Sequence, residues 1–241
     1  MAAKADIRSR LQQEILSLQG FKSASLAVAD TGGLACIHHC FPQGRFPFAG
    51  VHEFLCTDEE SATASVAFIT GLLSSYGQKA GTVMWVCKSR QIFPPALCSF
   101  GLLPQHIFFL ELKREKERAW AMEEALKCNA LASVVGEMQE LSFTTSRRFQ
   151  LAIEQSGVGC FVLRRNPGNK VTAAVTRWQI GHLPSGVEEG SPGVGHPRWR
   201  VSLLKVRNGQ PGRWDLEWAN GRYRPVPRLA VLHGEQQRKT G

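Results

Sequence analysis

The residues that most invite a chemical reading lie at Cys56-Thr57-Asp58-Glu59-Glu60-Ser61-Ala62-Thr63, between the apolar run Val51–Cys56 and the start of a helical pattern. A strand, a tight loop and a helix start are the parts of a phosphate-binding loop. Such a loop needs glycines so that backbone N–H groups close on the phosphates, a Lys for the β/γ oxygens, and a Ser or Thr hydroxyl for magnesium. Here Cys56 and Ser61 stand at the glycine positions, Ala62 stands at the Lys position, and only Thr63 keeps its type. Asp58, Glu59 and Glu60 would add three negative charges beside a triphosphate. At ~5 Å each like-charge pair costs on the order of a kcal/mol even in a fairly high dielectric. The same acids are favourable at a helix N-terminus that holds no anion. The stretch therefore reads as a carboxylate-capped helix start in a nucleotide-binding frame without its chemistry. Neither catalysis nor a cofactor is expected.

A second set of candidates is basic. Residues 164–241 hold 14 Lys/Arg against 5 Asp/Glu and so carry the whole net charge of +9, whereas residues 1–163 hold 15 of each. A basic C-terminal third on a neutral body points to a polyanion surface, or to a solubilising face with a basic tail. Arg164, Arg165, Lys170, Arg177, Arg198, Arg200 and Arg207 are the candidate contacts for DNA or a protein partner, with Lys205 and Arg213 beside them. Trp178, Trp199, Trp214 and Trp218 interleave with them, an arrangement suited to stacking single-stranded bases. Strand alternation argues against stacking: in Arg198-Trp199-Arg200 the Trp takes one face and both arginines the other, which favours a buried Trp under a cationic surface. Arg147 and Arg148 suit structural ion pairs as well as DNA. Cys36-Ile37-His38-His39-Cys40 has zinc-ligand types, but no second ligand pair stands at a useful spacing, so no metal site is expected.

These residues must be positioned by alternating strands and helices. Ile7, Leu11, Ile15 and Leu18 mark one face of an amphipathic helix that stops at Gly20. Residues 21–49 are punctuated by Gly and Pro. Strands are expected at Val51–Cys56, Thr82–Cys87, His106–Leu112, Leu131–Val135 and Val158–Leu163. Helices are expected at Ala62–Leu73, after Pro94-Pro95, at Glu115–Lys127 with Trp120 and Leu126 inward, and from a Thr144 or Thr145 cap to about Gln155. The fold class is thus α/β, a mostly parallel sheet with helices on both faces. Thr172–Ile180, Arg198–Arg207, Arg213–Trp218 and Arg222–Pro225 add an antiparallel hairpin extension, with turns at Asn208–Gly212 and Asn220-Gly221 and a long loop over Gly181–Pro197. Residues 1–20 form the N-terminal helix, 21–225 the core, and 226–241 a basic, disordered tail. No apolar run spans a membrane and no signal-peptide core opens the chain, so a cytoplasmic location is expected. The seven cysteines form no even framework and are expected to be reduced thiols.

Phe46-Pro47-Phe48-Ala49-Gly50-Val51-His52-Glu53-Phe54 resembles the first strand region of RecA-type recombinases and, more closely, of the ImuA family of RecA-like accessory proteins. Further matches follow in order: Ile92–Leu97, Trp120–Cys128, Ala132–Glu137, Thr144–Leu151, Arg177-Trp178, Pro197–Trp199, Lys205–Gly209 and Trp214. The resemblance covers about residues 6–224. It implies a RecA-like core, a role in error-prone translesion synthesis during DNA-damage tolerance, and as partners an ImuB-type protein and an error-prone DNA polymerase subunit. RecA and single-stranded DNA are further partners it raises. RecA-type enzymes also place a water-orienting Glu after the second buried strand, where this chain has Cys87-Lys88-Ser89-Arg90. They place a magnesium-supporting Asp after Leu131–Val135, where it has Gly136 and the displaced acid Glu137. The rival readings are a DNA-stimulated ATPase that recruits Lys88 or Arg90 as its cation, and an inhibitor of cell division or of RecA, as in the related SulA group.

Overall fold

Val51–Cys56 (β1) and Gly159–Arg165 (β5) are buried at nearly every position and pair in parallel at the centre of a sheet, the setting in which both strand faces are covered. The structure, a computed structural model, describes residues 32–76, 81–165, 168, 170–186 and 194–226. Thr82–Cys87 (β2), Ile107–Glu111 (β3) and Leu131–Met138 (β4) extend the sheet on one side. Thr176–Gly186 (β6), His196–Val206 (β7), Gly212–Ala219 (β8) and Arg222–Pro225 (β9) extend it on the other. The order is β3-β2-β4-β5-β1-β6-β7-β8-β9. Pairing is parallel from β3 through β6 and antiparallel from β6 to β9.

The period-2 alternation of the central strands feeds two cores. Phe161 and Leu163 of β5 join Phe54, Trp85, Trp178 and Trp199 under the helix Glu59–Tyr76 (labelled α2, after the short α1 at Ala35–His38). Cys160 and Val162 face the opposite way, under Glu115–Leu126 (α4) and Phe143–Ser156 (α5), with Met122, Leu126, Phe149 and Ile153. Between β2 and β3, Pro94–Cys98 forms the short α3. In β7–β9 the inward residues are Trp199, Val201, Leu216, Trp218 and Tyr223. The ladder puts Arg198, Arg200, Arg213, Asp215, Glu217, Arg222 and Arg224 on the other face. Asn220 and Gly221 take φ of 54° and 71° in the β8–β9 turn, left-handed geometry that this pair of residues adopts readily.

Several elements differ from their expected bounds. Ser142, not Thr144 or Thr145, caps α5, its hydroxyl accepting from the Thr145 amide at 3.0 Å. Much of the expected Gly181–Pro197 loop is strand, because β6 runs to Gly186 and β7 begins at His196. β4 continues through Glu137 to Met138. Trp120 points outward and is 64% exposed, since the helical phase turns it away from Met122 and Leu126. The expected helix over residues 1–20 lies outside the described residues, as does the tail beyond Val226.

Candidate functional site

Only Thr57 and Asp58 separate β1 from α2, so the helix begins at Glu59, within the stretch that a phosphate loop would leave open. The Ser61 hydroxyl folds back into this turn. Its Oγ accepts the backbone N–H of Thr57 at 3.0 Å and of Asp58 at 3.1 Å, and donates to the Asp58 carbonyl at 3.0 Å. Asp58 in turn caps the helix, its Oδ1 accepting from the Ser61 amide at 2.6 Å. The amides of Thr57, Asp58 and Ser61, which would face an anion in a phosphate loop, are therefore satisfied by the chain itself.

The other positions of the stretch are also committed. Ala62 is buried, and the Thr63 hydroxyl donates back to the Glu59 carbonyl at 2.9 Å. Cys56 is buried against Ser65, and burial pushes its thiol up to about 11, so it is no nucleophile at neutral pH. Glu59 meets Arg165 at 2.6 Å, and the Glu60 carboxylate lies 3.3 Å from His182 Nδ1.

Beside the turn, at the carboxyl ends of β1, β2, β4 and β5, lies a cleft of about 360 Å³. It is lined by Asp58, Glu59, Lys88, Arg118, Glu137 and Arg165, among others. Ligands of open α/β sheets bind at this end, yet the charged groups here face one another. Arg118 is 3% exposed and donates to the carbonyls of Glu137, Leu112 and Lys113 at 2.8–2.9 Å, pinning α4 to the strand ends. Burial raises the Glu137 carboxyl above its ordinary range, against the pull of Arg165. Lys88 lines the cleft, and the Arg90 amide donates to Glu111.

The basic candidates are divided between the interior and the surface. Arg164 and Arg177 flank Glu53 of β1 from the two neighbouring strands. Glu53 is 0% and Arg164 1% exposed, with contacts of 3.2 Å to Arg164 Nη1 and 2.7 Å to Arg177 Nε. The triad has a net positive charge, and Arg164 Nε has no hydrogen-bond partner among the described residues. Burial and Arg177 together lower the Lys205 ammonium pKa. Lys170 pairs with Glu140 at 2.5 Å, Arg198 with Glu217 at 2.7 Å, and Arg200 with Asp215 at 3.0 Å. Arg207 donates to the Ala173 carbonyl at 2.5 Å. Arg147 and Arg148 pair with Glu154 and Glu123. Trp178, Trp199 and Trp218 are buried, at 1%, 3% and 5% exposure, and Trp214 is partly buried. The cationic face therefore carries no stacking platform from these residues.

Sequence reasoning singled out neither Glu53 nor the Ser61 lock. Glu53 had a signal: a carboxylate inside an apolar run that reads as a doubly buried strand needs a cation on an adjacent strand. The Ser61 lock had none, because a serine three residues into a helix start gives no sign of where its hydroxyl turns.

No family model matches the chain. The chain is 34% identical over 208 residues to the protein ImuA of Caulobacter vibrioides strain NA1000 / CB15N, covering 81% of this chain and 85% of the relative. The figures are the same for strain ATCC 19089 / CIP 103742 / CB 15. Among solved structures, SulA from Pseudomonas aeruginosa aligns over 47% of this chain and 96% of its own, with 19% identity and a TM-score of 0.42. At that score the likeness adds nothing to the functional argument.

Proposed function

The chain belongs to the ImuA family, and we propose that it is a non-catalytic, RecA-like accessory protein of error-prone translesion synthesis in bacterial DNA-damage tolerance. The observation that carries the non-catalytic part is Ser61 Oγ occupying the amide cradle between β1 and α2. A parallel sheet ordered β3-β2-β4-β5-β1-β6 with an antiparallel C-terminal extension supports the RecA-like part, as does a degenerate loop directly after β1. The protein then acts through contacts: an ImuB-type protein, an error-prone DNA polymerase subunit, RecA, and single-stranded DNA. The site of action is the cytoplasm; among the described residues no helix is long and apolar enough to cross a membrane.

Two experiments test this reading. Titration calorimetry with ATP and Mg²⁺ is expected to give no heat of binding; hydrolysis above background that Thr63→Ala abolishes would overturn the non-catalytic claim. Affinity capture from DNA-damaged cells is expected to recover the translesion polymerase assembly. Recovery of a division protein alone, without that assembly, overturns the partner assignment.

A further inference from the structure

The four C-terminal strands bury one face under α2, while the opposite face of β7–β9 presents a bed of arginines. Tyr223 is turned inward at 1% exposure, so strand alternation sends Arg222 and Arg224 outward on either side of it. Arg213 follows by the same logic, opposite Ser202 and between the inward neighbours Gly212 and Trp214. Arg198 and Arg200 on this face are neutralised by Glu217 and Asp215. Arg213, Arg222 and Arg224 are exposed and form no ion pair or side-chain hydrogen bond among the described residues. After its two acids are counted, the face keeps three unneutralised cations.

We propose that this face docks the phosphate backbone of a nucleic acid through Arg213, Arg222 and Arg224, without reading or stacking its bases. The inference specifies the nucleic-acid component of the function proposed above and assigns it to Arg213, which stands beside the contacts expected from the sequence, and to Arg222 and Arg224, which are not among them.

The chemistry of the face selects the partner. Alternate residues along β9 are about 6.8 Å apart, a step comparable to that between neighbouring phosphates of one strand. Phosphate contact needs only cations and polar groups. A protein partner would need a desolvated apolar or aromatic anchor. The large apolar side chain exposed on β7 is Leu204 at the β6–β7 bulge, and the tryptophans of these strands turn inward. With no aromatic platform, the face holds single or paired strands by their phosphates alone, without added affinity from base stacking.

The test is fluorescence anisotropy of the full chain with labelled oligo-dT, oligo-dA and a mixed duplex, across a salt series, for wild type and the triple variant Arg213→Gln, Arg222→Gln, Arg224→Gln. Three phosphate contacts contribute about −0.9 each to the log–log salt slope on duplex DNA. The variant slope is therefore expected to be shallower by two to three units, roughly. Equivalently, the wild type loses about 40-fold more affinity than the variant between 50 and 200 mM salt. Oligo-dT and oligo-dA bind alike, and the triple Lys variant restores the wild-type slope while thermal melts stay unchanged. An unchanged slope in the Gln variant overturns the proposal, as does a marked base preference. Tighter binding of polyglutamate than of DNA at matched charge also overturns it, in favour of an acidic protein partner. A normal salt slope in a protein that fails to recover the translesion assembly would sink the cellular role and leave this surface standing.

Discussion

Glu53 and Arg164 meet at 3.2 Å across adjacent parallel strands, both withdrawn from water, with Arg177 closing on the other carboxylate oxygen at 2.7 Å. Glu53→Gln removes the only carboxylate in the triad and leaves two guanidinium groups facing each other with poor solvation. Breaking a buried ion pair from one side costs about 3–5 kcal/mol. Urea unfolding of Glu53→Gln is expected to show a loss of this size. Replacing all three residues together by apolar ones of similar length is expected to cost less than the single change. Equal or greater loss in the triple variant would mean that packing, not charge, governs the site.

The Ser61 lock predicts that the phosphate loop is not restored by its side chains alone. In the double variant Ser61→Gly, Ala62→Lys, the amides of Thr57 and Asp58 lose their internal acceptor, but only two residues still link β1 to α2. The new Lys also enters a position that is 1% exposed. Calorimetry should detect no ATP binding, and the melting temperature should fall well below that of Ser61→Gly alone. Micromolar nucleotide binding by the double variant would show that the frame had stayed open.

Some of this architecture was legible in the sequence because local signals and tertiary demands agreed. Thr82–Cys87 is bounded by Gly81 and Lys88 and was read to its true ends, and Arg222–Pro225 was fixed by the Asn220-Gly221 turn before it. Gly181–Gly186 was misread because Gly and Pro lower strand propensity, whereas ladder pairing to His196–Arg200 depends on backbone groups that every residue but Pro supplies in full. Trp120 was expected inward with Leu126, but the phase of α4 turns it to the surface. The basic residues were legible as a cluster but not as pairs. Arg164 and Arg200 look alike in sequence, yet one lies beneath the sheet surface beside Glu53 and the other on it beside Asp215.

Gly136 of β4 leaves the space that the Met122 side chain of α4 fills against the sheet. A Cβ at this position would lie 2.1 Å from Met122 Sδ, and Met122 is itself fully buried. Gly136→Ala is therefore expected to cost about 1–3 kcal/mol through overpacking. The cost should shrink in a Met122→Val background, where the thioether is gone, so a double-mutant cycle is expected to show coupling. Additive effects would place the strain elsewhere.

His52 sets an acid limit on stability. It is fully buried in β1, stacked on Phe46 with ring centroids 4.7 Å apart. Trp178 Nε1 donates to Thr176 Oγ1 at 2.7 Å, the Thr176 hydroxyl donates to His52 Nδ1 at 2.7 Å, and His52 Nε2 donates to the Phe48 carbonyl at 3.3 Å. Each group is satisfied with the imidazole neutral. Burial lowers its pKa from 6.5 to about 4, overcoming the opposing pull of the Phe48 and Pro47 carbonyls. The unfolded chain thus takes up a proton below pH 6.5 that the folded chain refuses until about pH 4. Stability from this group is full above the upper value, falls by about 1.4 kcal/mol per pH unit through the window, and levels off below the lower one. Glu137, whose carboxyl is raised by burial, shifts the balance the opposite way above the ordinary Glu range and softens the slope. Urea unfolding of wild type from pH 7 down to pH 4 should show this decline. His52→Asn, though less stable throughout, should lose most of the pH dependence across the window; a slope equal to that of the wild type would assign the acid sensitivity to the carboxylates instead.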